Sequence, residues 1–237
     1  MKYPFTAGIA YLLLLLWLGI SSCTTDTSIP EPEPKVSNAT ADSTAETGKG
    51  KAGISEDYTH TDRVIWQKPN MVIDLLGDIS HKTIADIGAG TGFFSLRLTP
   101  KAKKVIAIDI DPRFVNYLDS IRYLQLPEPL QDRLETRLAT PTDPLLKAEE
   151  VDVAIIVNTV VYIRDRVAYL SNLKNGISAN GQLLIIDFKK KRTPVGPPQT
   201  LKVPAFQIEE ELYRAGYREV LVNDTALDYQ YLIIARK

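Results

Sequence analysis

The chain is poor in the residues that most often carry metal and redox chemistry. Its 237 residues include one cysteine, Cys23, and two histidines, His60 and His81. Neither an internal disulfide nor a His/Cys metal cluster can be drawn from that inventory. There is no excess of charge either: 28 Lys and Arg against 29 Asp and Glu leave a net charge of −1. Polynucleotide binding usually shows as a basic surplus, so no nucleic acid is expected as a partner. Long apolar runs are missing too. Phe5 to Ile20 is 16 residues, below the roughly 20 needed to cross a bilayer untilted.

The N-terminus nevertheless has an address. Lys2, an apolar run from Tyr11 to Ile20, then Ser21-Ser22-Cys23 form a charged head, an apolar core and small residues, the layout of a secretory leader. Leu18-Gly19-Ile20-Ser21-Ser22-Cys23 resembles a bacterial lipoprotein signal, with Ser22 where Gly or Ala is usual. That resemblance implies cleavage before Cys23 and a lipid on its thiol; an uncleaved anchor and ordinary signal cleavage are the alternatives. Thr24 to Ser55 is rich in Ser, Thr, Pro, Glu, Ala and Gly and lacks apolar periodicity, so it cannot build a core. A tether of that length reaches roughly 30 Å. The expected organisation is a leader over 1–22, a tether over 23–55 and one α/β domain over 56–237.

Within the domain, Thr83 to Pro112 is the informative stretch. Gly88, Ala89, Gly90, Thr91 and Gly92 read G-x-G-x-G. The dinucleotide fingerprint would need a third glycine at Phe93, and a phosphate-cradling loop would need a G-K-[ST] ending; both are missing. The glycines still permit a tight turn and close approach to a ligand. Asp86, just before the loop, would aim a carboxylate at the crevice. Asp109 ends the apolar strand Val105-Ile106-Ala107-Ile108, 21 positions after Gly88, where a carboxylate can accept both hydroxyls of a ribose. Two acids at the loop disfavour a diphosphate. They suit S-adenosyl-L-methionine, which carries a ribose, an ammonium and a sulfonium.

At these residues the chain resembles the class I S-adenosylmethionine-dependent methyltransferases. DIGAGTG matches that family's glycine motif and IAIDIDP its second-strand acidic motif, and the resemblance runs from about Thr61 to Lys237. It implies a Rossmann-like seven-stranded sheet, mostly parallel, with an antiparallel C-terminal edge pair. It implies S-adenosyl-L-methionine as cofactor, held by Asp86, Gly88, Ala89, Gly90, Gly92, Asp109 and Ile110, with Ile110 against the adenine. The family often places an acid after the third strand for the adenine amino group. Leu138 stands there instead, leaving Asp143 or a backbone carbonyl for the task.

Coarse patterning agrees with an α/β doubly wound sheet, with ligand at the carboxyl ends of the strands. Strands are expected at Lys82–Ile87, Val105–Asp109, Leu134–Leu138, Val151–Val157, Gly181–Phe188, Arg218–Asn223 and Tyr229–Ala235. Helices are expected over Asp62–Gly77 (broken by Pro69), from Phe93 to Leu98, after the Asp111-Pro112 start signal, at Arg166–Gly176 and at Gln207–Ala215.

Three features fall at the carboxyl edge. Asn158 and Tyr162, after the fourth strand, are substrate-facing candidates, Tyr162 with a ring able to face a sulfonium; capping and packing are their plain alternatives. Lys189-Lys190-Lys191-Arg192 and the prolines that follow form a stiff basic flap suited to an anionic acceptor or membrane surface. Trp66 and Gln67 can line the site or pin the N-terminal helix to the sheet. Methyl transfer from a sulfonium needs positioning more than acid–base groups, which accords with the lack of a His/Asp/Ser constellation. The expected activity is a membrane-tethered methyltransferase with an unidentified acceptor. The alternative from another class is a non-catalytic module that binds an adenosine-type ligand or a protein partner.

Overall fold

Strands β1 (Thr83–Ile87), β2 (Lys104–Asp109), β3 (Leu134–Leu138), β4 (Val151–Val157), β5 (Ile177–Phe188), β6 (Arg218–Asn223) and β7 (Gln230–Arg236) form one sheet in the order β3-β2-β1-β4-β5-β7-β6. The computed structural model describes residues 62–237. The leader, Cys23 and the tether lie outside the described residues. No helix among the described residues is long and apolar enough to cross a membrane.

The first five strands are parallel, and β7 runs antiparallel to both β5 and β6. The last two strands do pair antiparallel at the edge. The later one lies inside, seated between β5 and β6. Central strands read as near-continuous apolar runs because both faces are covered. Ala85, Ile106, Ala154 and Ile185 face one way, toward Leu170, Leu173, Ile208 and Leu212. Ile84, Val105, Ile155 and Leu184 face the other, toward Val72, Ile73, Leu98 and Leu118. This alternation is the two-residue period of an extended chain.

Helices α1 (Arg63–Gln67) and α2 (Pro69–Asp74) are separated where the sequence predicts, at Lys68, which turns left-handed (φ 46°) before Pro69. Only one turn, α3 (Ser95–Leu98), follows the glycine loop. Helix α4 (Pro112–Gln125) starts as its signal requires: Asp111 accepts the Arg113 N–H at 2.9 Å and Pro112 opens the first turn. A short α5 (Glu128–Gln131) precedes β3. Helix α6 (Arg166–Gly176) has the expected bounds, and α7 (Ala205–Arg214) starts two residues earlier than its pattern. Arg166 and Glu211 join these two helices through a bidentate pair, 2.6 and 2.7 Å. Strand β5 begins at Ile177 rather than Gly181, because Ile177 pairs with Val151 across a register shift.

Strand order reverses between β1 and β4. β2 and β3 build to one side and β5 to the other, which opens a crevice at the carboxyl ends.

Candidate cofactor and acceptor site

A crevice of about 280 Å³ occupies this switch point. The glycine loop forms its floor. Gly88 and Ala89 N–H groups donate to the Ile108 carbonyl at 2.8 and 3.1 Å, which ties the loop to the end of β2. Gly88 has φ +74°, and a Cβ there would collide with the Thr159 side chain. The loops after β1 and β4 therefore meet closely only because that residue is glycine. Gly92 is used differently: its missing Cβ leaves room for Leu118 of α4.

Asp109 sits at the crevice wall. Its Oδ2 accepts the Gly90 N–H at 2.8 Å and its Oδ1 accepts the Asp111 N–H at 3.0 Å. Each oxygen retains acceptor capacity for a further donor, and two oxygens held apart in this way fit a vicinal diol. Ile110 is 57% exposed and also lines the crevice, as do Ala139, Thr140 and Pro141. Leu138 ends β3 half out of its surroundings. Asp143 bonds the Leu145 N–H at 2.7 Å and is not a wall residue.

Asp86 is placed otherwise than its motif position implies. It is 3% exposed, accepts the Ser95 hydroxyl at 2.6 Å and is not a wall residue. Burial pushes its carboxyl up to about 6, opposed by the Ser95 hydrogen bond and the Arg63 charge. Its immediate role is to join β1 to the first turn of α3.

Asn158 and Tyr162 both line the crevice. Tyr162 ends a 3₁₀ turn, Val160–Tyr162, and is 60% exposed. Asn158 is left-handed (φ 56°), a conformation Asn tolerates better than most residues. Its side chain is engaged from behind. Gln230 Nε2 donates to Asn158 Oδ1 at 2.5 Å and Gln67 Nε2 approaches the same oxygen at 3.4 Å. Gln67 is fully buried and is not a wall residue, while Trp66 packs on Phe188 with centroids 5.6 Å apart. Beneath the 3₁₀ turn's strand neighbour, Asp187 is also fully buried. Burial raises its carboxyl to about 7, with the N–H groups of Phe188, Val161 and Val160 pulling it back down.

The basic flap has no helix or strand between Lys189 and Pro204. Two of its lysines are structural. Lys189 Nζ donates to the Leu227 carbonyl at 2.7 Å, and Lys202, 2% exposed, donates to the Lys191 carbonyl at 2.9 Å. Lys190, Lys191 and Arg192 are exposed.

Sequence reasoning missed Arg63, Thr159 and Gln230. Arg63 lines the crevice with its guanidinium 4.1 Å from the Phe93 ring centroid. Gly88 was an indirect sign of Thr159, since a close approach needs something to approach. Gln230 carries no local signal, being brought 72 positions back to Asn158 by strand pairing.

Comparison with known proteins bears on the fold that carries this crevice. Residues 85–183 match a family model described as a methyltransferase domain. A SAM-dependent methyltransferase from Aquifex aeolicus is similar in structure, with 25% identity and a TM-score of 0.69 over 78% of this chain and 98% of that one. A phosphoethanolamine N-methyltransferase 2 from Haemonchus contortus, solved with phosphomonomethylethanolamine and S-adenosylhomocysteine, shares the fold at 11% identity. Its TM-score is 0.60 over 73% of this chain and 52% of that one. A tRNA U34 carboxymethyltransferase from Dichelobacter nodosus is 26% identical over 118 residues, half of this chain but only 36% of that protein's length. Residues 85–183 are thus similar to a methyltransferase domain, and the chain has the α/β Rossmann-like fold found in SAM-dependent methyltransferases.

Proposed function

We propose that this chain is an S-adenosyl-L-methionine-dependent methyltransferase, held at a membrane by its N-terminus, acting on an acceptor that bears negative charge. The observation that carries the cofactor assignment is the juxtaposition of the Gly88–Gly92 loop with Asp109. A turn that admits no Cβ at Gly88 stands beside a carboxylate whose two oxygens are separately anchored and still able to accept. Those features fit an adenosine with a free ribose diol and no phosphate.

Asp109 would hold the ribose hydroxyls, Ile110 and the Ala139–Pro141 backbone the base, and the Gly88–Gly90 backbone the amino-acid side. When bound, the cofactor supplies an electrophilic methyl on a positively charged sulfur. The protein's own contribution is then to orient and to exclude water. Tyr162 lines the crevice and is 60% exposed, where an entering acceptor would meet it, and Thr159 abuts the loop at Gly88. Lys190, Lys191 and Arg192 support the anionic character of the acceptor, since exposed like charges on one flap raise the local concentration of anions and lose that effect with salt. The leader that precedes Cys23 supports the membrane tether.

Calorimetric titration of the full chain with S-adenosylhomocysteine tests the assignment. Micromolar binding, weakened by roughly tenfold or more in Asp109→Ala, is the expected result. Absence of heat, together with an unchanged melting temperature on adding ligand, would refute it.

A further inference from the structure

A chain of buried amides runs from α1 to the crevice, and its direction is fixed. Arg63 Nε donates to Gln67 Oε1 at 2.5 Å. A guanidinium has donors only, so the Gln67 atom that faces it must be the oxygen. Gln67 Nε2 then donates onward to Gln230 Oε1 at 2.9 Å, and Gln230 Nε2 donates to Asn158 Oδ1 at 2.5 Å. Gln67 and Gln230 are both 0% exposed. Reversing either amide would set a buried N–H against another N–H. Oδ1 of Asn158 is thereby committed to the protein. What remains of its side chain for the crevice is the Nδ2 amine.

We propose that Gln67 and Gln230 are positioning residues that hold Asn158 as a hydrogen-bond donor toward the crevice, and that the group it meets there is the cofactor's carboxylate. The crevice lining suits this occupant. Besides Asp109 and Asp111 it includes Arg63 and Asn158, both of which bond to Gln67, and Asn158 presents an N–H donor. An ammonium or an amine N–H would find no acceptor on the Asn158 side chain. A carboxylate finds a charge-assisted hydrogen bond. The inference rests on the cofactor assignment above.

Two isosteric variants reverse the polarity. In Asn158→Asp, one oxygen still accepts from Gln230 and Gln67, so packing is kept, but an oxygen replaces the amine at the crevice. In Gln67→Glu, the carboxylate still accepts from Arg63 but can no longer donate, so Gln230 turns over and Asn158 turns with it. The probes are S-adenosylhomocysteine, which has the carboxylate, and 5′-methylthioadenosine, which lacks the amino-acid portion. Calorimetry on the full chain should show either variant weakening S-adenosylhomocysteine by roughly tenfold or more, with 5′-methylthioadenosine changed by less than about twofold. Equal weakening of both ligands would mean a merely structural role and overturn the proposal, as would unchanged S-adenosylhomocysteine affinity. If Gln67→Glu does not fold, Asn158→Asp decides alone. Failure of the unaltered chain to bind either ligand would instead remove the cofactor assignment, and this inference with it.

Discussion

Asp86→Asn should separate a carboxylate's structural role from its charge. Asp86 is buried at the end of β1, and burial raises its carboxyl from 3.8 to about 6. That difference corresponds to about 3 kcal/mol of disfavoured ionisation. Between about pH 4 and pH 6 the folded protein keeps a proton that the unfolded chain has released. The unfolded state therefore binds fewer protons across this window, and the Asp86 contribution to stability falls as pH rises through it. Well below pH 3.8 both states are protonated and nothing is lost. Asparagine keeps an oxygen to accept the 2.6 Å bond from Ser95 but cannot ionise. Its amide N–H₂ adds an offset that does not depend on pH. The stability of Asp86→Asn relative to the unaltered chain should then grow by roughly 2.5 kcal/mol from pH 4 to pH 8. Other titrating groups, Asp187 among them, are shared by both proteins and cancel. Urea unfolding midpoints and slopes at pH 4, 6 and 8 measure this directly. A difference that is constant with pH, or one that shrinks toward pH 8, would refute the reasoning.

Two further outcomes follow from particular residues. Gly88→Ala places a methyl group against Thr159 on a backbone at φ +74°, and should cost about 2 kcal/mol or more in denaturant unfolding. Adding Thr159→Gly should restore only part of that loss, since it relieves the collision and not the φ; full stability of the single variant would contradict the close-approach account. Cys23→Ser should abolish palmitate labelling and membrane-fraction recovery of the chain expressed in a bacterial host. Label retained in the variant, or absent from the unaltered chain, would remove the lipid tether.

Much of the fold was written in local pattern, because local physics decides it. A five- to seven-residue apolar run flanked by turn residues becomes a buried strand almost wherever it is placed, which is why VDVAIIV reads as β4 without help. Asp111-Pro112 starts a helix through one hydrogen bond and one fixed φ, both local to the start of α4. The G-x-G-x-G loop and Asp109 likewise announce a crevice, since neighbouring parallel strands β1 and β2 deliver their carboxyl ends to the same edge.

What tertiary structure alone decided is which of those polar groups face the crevice. Asp86 occupies a motif position but turns to Ser95, because the register of β1 between β2 and β4 buries it. The basic run at 189–192 looks uniform in sequence, yet Lys189 is committed to the Leu227 carbonyl once β7 lies beside β5. Asn158 reads as an ambiguous amide, able to donate or accept. It acquires a direction only when α1 brings Arg63 and Gln67 to one side and β7 brings Gln230 to the other. Hydrogen-bond polarity of this kind travels between segments distant in sequence. Composition and periodicity describe one segment at a time, so it becomes visible only after the sheet has brought the partners together.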